Sequence, residues 1–176
     1  MKSKLVTILF FVISITGAFG QKSKVGNYVN LPNSKTLFSV KDSVYINCTS
    51  LLERKTSTII VFWLSTCVPC ARELNAINKR IAEWQKDYCF EIFVVSNDKY
   101  SNRDNAIALW KKNGWKFNIL FDDKNVLKNN LLGDWQGVPQ LIIIDENHKI
   151  IYHKFGYRQN DEDYINQYLT KRTKNE

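Results

Sequence analysis

Residues 58–73 read "TIIVFWLSTCVPCARE". Thr58 to Leu64 are too uniformly apolar for a strand with one wet face, so the run predicts a central strand buried on both sides. From Cys67 to about Tyr88 the apolar residues Leu74, Ile77, Ile81 and Trp84 recur at three- and four-residue spacing, which predicts an amphipathic helix. Cys67 and Cys70 therefore fall where a buried strand hands over to a helix. Unpaired backbone N–H groups and the positive end of the helix dipole favour a thiolate at such a junction. They can bring a thiol pKa from about 8.5 to about 7 or lower. Cys67 reads as a ready nucleophile, and Cys70, one turn deeper, as the thiol that attacks the resulting mixed disulfide. Pro69 suits the first helical turn, where its missing N–H is not needed.

Outward from this stretch, strand and helix signals alternate. "TLFSV" and "SVYIN" around Lys41-Asp42 predict short strands paired as a hairpin, and "TSLLERK" a short helix or turn capped by Thr49 or Ser50. "FEIFVVS" is a second buried strand, "NRDNAIALWKKNG" a helix stopped by Gly114, "FNILF" a strand and "KNVLKNNLL" a short helix. "QLIIID" and "IIYHKF", joined by the turn "ENHK", form a closing hairpin before a helix over about Asp161–Lys171. This order predicts an α/β fold: a mixed central sheet with helices on both faces and a short amino-terminal β extension.

The chain has 176 residues, 44% hydrophobic and 24% charged, enough for one domain with a real core. Residues 1–20 stand apart. "MKSK" gives a basic start, "LVTILFFVISI" an apolar stretch, and "AFG" before Gln21 a small-x-small cleavage pattern, together the signature of a signal peptide. A membrane span needs about 20 apolar residues, more than this run supplies, although an uncleaved amino-terminal anchor is the competing reading. Residues 21–34 read as a loose lead and 35–176 as the domain. Loss of Lys2 and Lys4 with no acid takes the formal net charge from +8 to +6. The remaining cations are spread at helical spacing without the clustering of a nucleic-acid site, so no nucleic-acid partner is expected.

Two other uses of a Cys-x-x-Cys pair fail. Zinc needs four ligands, and the only other candidates are Cys48, Cys89, His148 and His153. The histidines lie nearly eighty residues downstream, one in a turn and one in a strand, and read as surface residues. No metal and no bound cofactor is expected. A purely structural bridge across two residues would remove little chain entropy, and the chain has ample core without one. Cys48 and Cys89 either bridge each other or stay as free buried thiols, because sequence does not measure their separation.

The segment "FWLSTCVPCARE" resembles the active site of thioredoxin-like proteins of the TlpA/ResA type, in which a strand ending in Phe-Trp leads into Cys-x-Pro-Cys. "GVPQLIIID" matches the second signature of that fold, a proline that is usually cis before a later strand, and "DENHK", "IIYHKFGY" and Gly156 match its final hairpin. The resemblance covers roughly residues 35–170 and implies a thioredoxin fold. It also implies a cis Val138–Pro139 peptide facing Cys67, presenting backbone groups to an extended client segment. Trp135 either walls that groove or belongs to the core. Three positions depart from the pattern: Thr66 and Asn75 replace the usual tryptophan and proline, and Val61 stands where thioredoxins carry a buried acid. Glu73 lies one helical turn beyond Cys70, where its carboxylate can approach the resolving thiol. A glutamate there is a feature of TlpA/ResA-type sites; a solvent-facing helix residue is the alternative.

The resemblance implies an exported, periplasmic thiol–disulfide oxidoreductase, working more as a reductant of client disulfides than as an oxidant. Its partners would be client proteins with disulfides or thiols and a membrane or periplasmic electron donor. A thiol peroxidase needs Pro-x-x-x-Thr-x-x-Cys, and the corresponding positions are Ile60 and Leu64. A non-catalytic binding module would not need Cys67, Cys70 and Pro139 all intact.

Overall fold

The computed structural model describes residues 24–133 and 135–173; the expected signal peptide lies outside them. Seven strands form one sheet in the order β2-β1-β5-β4-β3-β6-β7. The strands are β1 (Lys35–Ser39), β2 (Val44–Asn47), β3 (Ser57–Trp63), β4 (Phe90–Ser96), β5 (Ile119–Phe121), β6 (Gln140–Ile144) and β7 (Ile150–Phe155). β3 runs parallel to β4 and antiparallel to β6, with Val61 opposite Val94 and Leu141. β1 and β2 extend the sheet as an antiparallel pair.

All seven residues of β3 are buried because helices cover both faces. Its side chains alternate between the faces, as a pleated strand requires. Ile59, Val61 and Trp63 join one core with α1 (Val68–Asp87) and the helices α2 (Arg103–Asn113) and α4 (Glu162–Thr173). Ile60 and Phe62 join the other with α3 (Val126–Leu132), Leu51 and Leu52. From α1, Leu74, Ile77, Ile81 and Trp84 are buried against the sheet, each worth about 1.5–3 kcal/mol. Gly114 ends α2 at φ +61° and donates its N–H to Lys111 O, a left-handed cap that costs glycine little.

Two expectations are corrected. The turn over Cys48–Leu52 is a 3-10 helix with Asn47 at its start and no side-chain cap. Ser50 instead donates its hydroxyl to Asn47 O at 2.6 Å. The lead before β1 is not loose within the described residues. Gly26 N and Val29 N donate to Ile150 O and His148 O, and Ile150 N donates to Asn27 O. Tyr28 bridges Lys149, and Leu31 is buried in the second core. The segment satisfies backbone groups at the start of β7 that an edge strand would leave open.

Candidate active site

β3 delivers the chain to Leu64–Thr66, and Cys67 forms the cap of α1. Cys67 N donates to Leu64 O and Ala71 N to Cys67 O, so the cysteine is fixed from both sides. Cys67 and Cys70 are joined as a disulfide, Cα atoms 5.2 Å apart. Cys70 N points its proton at Cys67 Sγ, 3.2 Å away, which is the backbone donor that would stabilise a Cys67 thiolate. Cys67 is partly exposed and Cys70 is fully buried. An incoming sulfur can therefore reach Cys67 and not Cys70.

The linker is held from β4. Asp98, 4% exposed, accepts the Ser65 amide and hydroxyl at 2.8 Å each and the Ser96 hydroxyl at 2.8 Å. Sequence reasoning missed Asp98; the available signal was an acid two residues after an apolar strand. The other wall is the loop before β6. The Val138–Pro139 peptide is cis, and Val138 O lies 3.9 Å from Cys67 Sγ. In the disulfide that sulfur carries no proton, so the approach is a contact and not a hydrogen bond. Pro139 O accepts Gly156 N at 2.8 Å, tying this loop to the end of β7. Trp135 packs edge-on against Phe62 with its ring centroid 6.2 Å away, and Lys128 Nζ sits 4.8 Å over its ring. These contacts attach it to the second core.

Glu73 is the unusual group. It faces the sheet at 2% exposure, and its Oε2 has no hydrogen-bond partner among the described residues. Burial, which disfavours the charged form, is the main cause that pushes its pKa up to about 8. Lys154 on β7 pulls it down and Glu162 pushes it up, both more weakly than burial. Arg72 and Lys79 are not among the charges acting on it. Lys154 shares its sheet face with α1, being opposite Leu141 in the register, and is ion-paired with Asp161. Part of its charge is already committed, which helps explain why desolvation wins at Glu73.

Cys48 and Cys89 are free thiols, Cys48 buried and Cys89 exposed, so neither a bridge nor a pair of buried thiols is present. Thr36 Oγ1 and Cys48 Sγ are 3.2 Å apart, and burial is the main cause raising the Cys48 pKa. The histidines are not plain surface residues. His148 Nε2 lies 3.2 Å from Leu52 O and His153 Nε2 2.9 Å from Gln140 Oε1. Burial lowers the His153 pKa.

The redoxin family profile matches residues 24–169. The chain belongs to the redoxin family. Its Cys-Val-Pro-Cys disulfide at a strand-to-helix junction is that of a thioredoxin-like thiol–disulfide oxidoreductase. It is similar to the solution structure of an uncharacterized thioredoxin-like protein from Porphyromonas gingivalis. Identity is 28% and the TM-score 0.67, over 82% of this chain and 92% of that one. The thioredoxin domain of the thiol-disulfide oxidoreductase BVU-2223 from Bacteroides vulgatus matches at 15% identity and TM-score 0.65, over 84% and 99% of the two chains. StoA from Bacillus subtilis matches at 21% and 0.59, over 78% and 98%. The last two likenesses show the fold alone. No curated protein matches the chain.

Proposed function

We propose that this redoxin is exported and reduces disulfides in client proteins. Cys67 is the attacking thiol, Cys70 the resolving thiol and Glu73 the proton carrier. The observation that carries the reading is the asymmetry of the pair: Cys67 partly open at a helix cap, Cys70 closed off beside a buried carboxyl group. The Cys67 thiolate attacks a client disulfide, forming a Cys67–client disulfide and releasing one client thiolate. Cys70 then attacks Cys67 Sγ, the second client sulfur leaves as a thiolate, and the Cys70 proton passes to the ionised fraction of Glu73, the minority form at neutral pH and a growing one as pH rises toward 8. The product has the Cys67–Cys70 disulfide and a protonated Glu73, which is the form a carboxyl pKa of about 8 favours at neutral pH. When an electron donor attacks Cys67, departing Cys70 takes that proton back. The proton thus cycles between two buried groups where bulk water serves poorly.

Val138 and Pro139 offer backbone groups to a client strand laid across Cys67, the mode of an added β-strand. Trp135 stands at the far side of that loop and braces it against Phe62. Export rests on the amino-terminal segment, and the electron donor is a membrane or periplasmic thiol protein. The test is the reduction potential of the Cys67–Cys70 pair, measured by equilibration with dithiothreitol redox buffers. Thioredoxin-like proteins span about −270 to −120 mV. A reductant requires a value in the lower half of that range together with turnover in insulin reduction. A value near the oxidising end refutes the proposed direction.

A further inference from the structure

A polar groove opens beside the motif, between the start of α1 and the segment that follows β7. Two adjoining cavities of about 410 Å³ each share Arg72, Tyr157 and Gln159 in their walls; one reaches Pro69 of the motif and the other Asn75 and Lys79. Arg72 and Lys79 are exposed. Among the described residues neither has a carboxylate within ion-pair distance, whereas Arg80 in the same wall is paired with Asp163. The carboxylate lining the groove, Glu162, accepts the Tyr157 hydroxyl at 3.1 Å. Asn75, standing where the family pattern has proline, accepts the Trp115 indole N–H at 2.7 Å. Its carbonyl oxygen is thereby occupied, and what it keeps for the groove is its amide N–H donors. The wall is rich in donors and positive charge, starting at Pro69 between the two cysteines.

We propose that this groove binds an acidic segment of the protein whose sulfur is exchanged at Cys67, and so selects partners with carboxylates a few residues from the reactive cysteine. The inference rests on the thiol–disulfide reading of the site. Charge complementarity carries it: two uncommitted cations and the Asn75 amide suit carboxylates. The place of the groove, reaching Pro69 of the motif, makes it reachable by the chain flanking a docked cysteine.

The experiment uses two synthetic disulfide-linked peptides of equal length, with glutamates or glutamines flanking the cysteine, reduced by the pre-reduced protein. In low salt the acidic peptide should show a kcat/KM roughly three- to tenfold higher, the range two solvent-exposed ion contacts give. Salt at 0.5 M should erase that ratio by screening, and Arg72→Gln with Lys79→Gln should erase it in low salt. Equal kcat/KM for the two peptides with the wild-type protein, or a ratio that survives the double variant, overturns the proposal. So does oxidised glutathione outcompeting the acidic peptide, which would assign the groove to a low-mass thiol. Uncharged hydroxyethyl disulfide separates the two layers of the account: if the wild-type protein does not reduce it either, the thiol–disulfide reading itself has failed.

Discussion

Glu73 sits on the sheet-facing side of α1 with the carboxyl pKa raised from 4.5 to about 8. Below pH 4.5 the folded and unfolded chains both hold this proton. Between 4.5 and about 8 the unfolded chain releases it while the folded chain keeps it, so stability falls as pH rises through that window. Glu73→Gln keeps the shape of the protonated side chain and has no proton to lose. Urea unfolding of the oxidised proteins at pH 5, 6, 7 and 8 should show the variant gaining on wild type by up to roughly 1.4 kcal/mol per pH unit. Parallel curves for the two proteins would place Glu73 in contact with solvent. The same variant should slow release of reduced client more than the first attack by Cys67, because only the second step needs the carboxylate. That the side chain faces inward was one of two readings open to the sequence. Its spacing from Cys70 set the turn of the helix, while the charged groups that act on it, Lys154 of β7 and Glu162 of α4, lie more than seventy residues away.

Element boundaries were legible where a single local residue or a buried run sets them and not where a distant side chain does. Gly114 marks the end of α2 in both sequence and structure. The apolar runs of β3 and β6 were legible because both faces of these strands are covered. The start of α3 was not. Its cap position, Asn125, makes no side-chain cap bond, and Asp122 on the preceding turn accepts the Leu127 and Lys128 amides at 3.3 and 2.8 Å. A carboxylate that serves a helix from outside it leaves no capping-box pattern to read. Asp122→Ala should lower stability by about 1–2 kcal/mol in urea unfolding, with Asp122→Asn recovering part of that loss. No change in the alanine variant would mean that water replaces the carboxylate. The loop that carries Pro139 follows α3, so the alanine variant should also weaken protection of amides 135–138 against hydrogen exchange.

Across the whole molecule, what sequence lacked was pairing at long range. Strand types were readable, whereas the docking of residues 26–29 on the start of β7 depends on an edge that only the assembled sheet presents. Leu31, 6% exposed in the second core, is the anchor of that segment. Leu31→Ala should cost about 2–3 kcal/mol of stability by urea unfolding while leaving the potential of the cysteine pair in place. A cost near zero would return the lead to the loose state that the sequence suggests. Likewise the positions of Cys67 and Cys70 were legible from spacing, and Asp98, Lys154 and the open separation of Cys48 from Cys89 were not, because each depends on a neighbour from a distant strand. The account as a whole turns on the division of labour between the two active cysteines. Its most direct test is covalent trapping: reduced Cys70→Ser and Cys67→Ser proteins are each incubated with insulin and resolved on non-reducing gels with mass spectrometry. Cys70→Ser should accumulate a dithiothreitol-sensitive adduct linked through Cys67, and Cys67→Ser should form almost none. An adduct through Cys70 in the Cys67→Ser protein, with none in the other, would contradict the account.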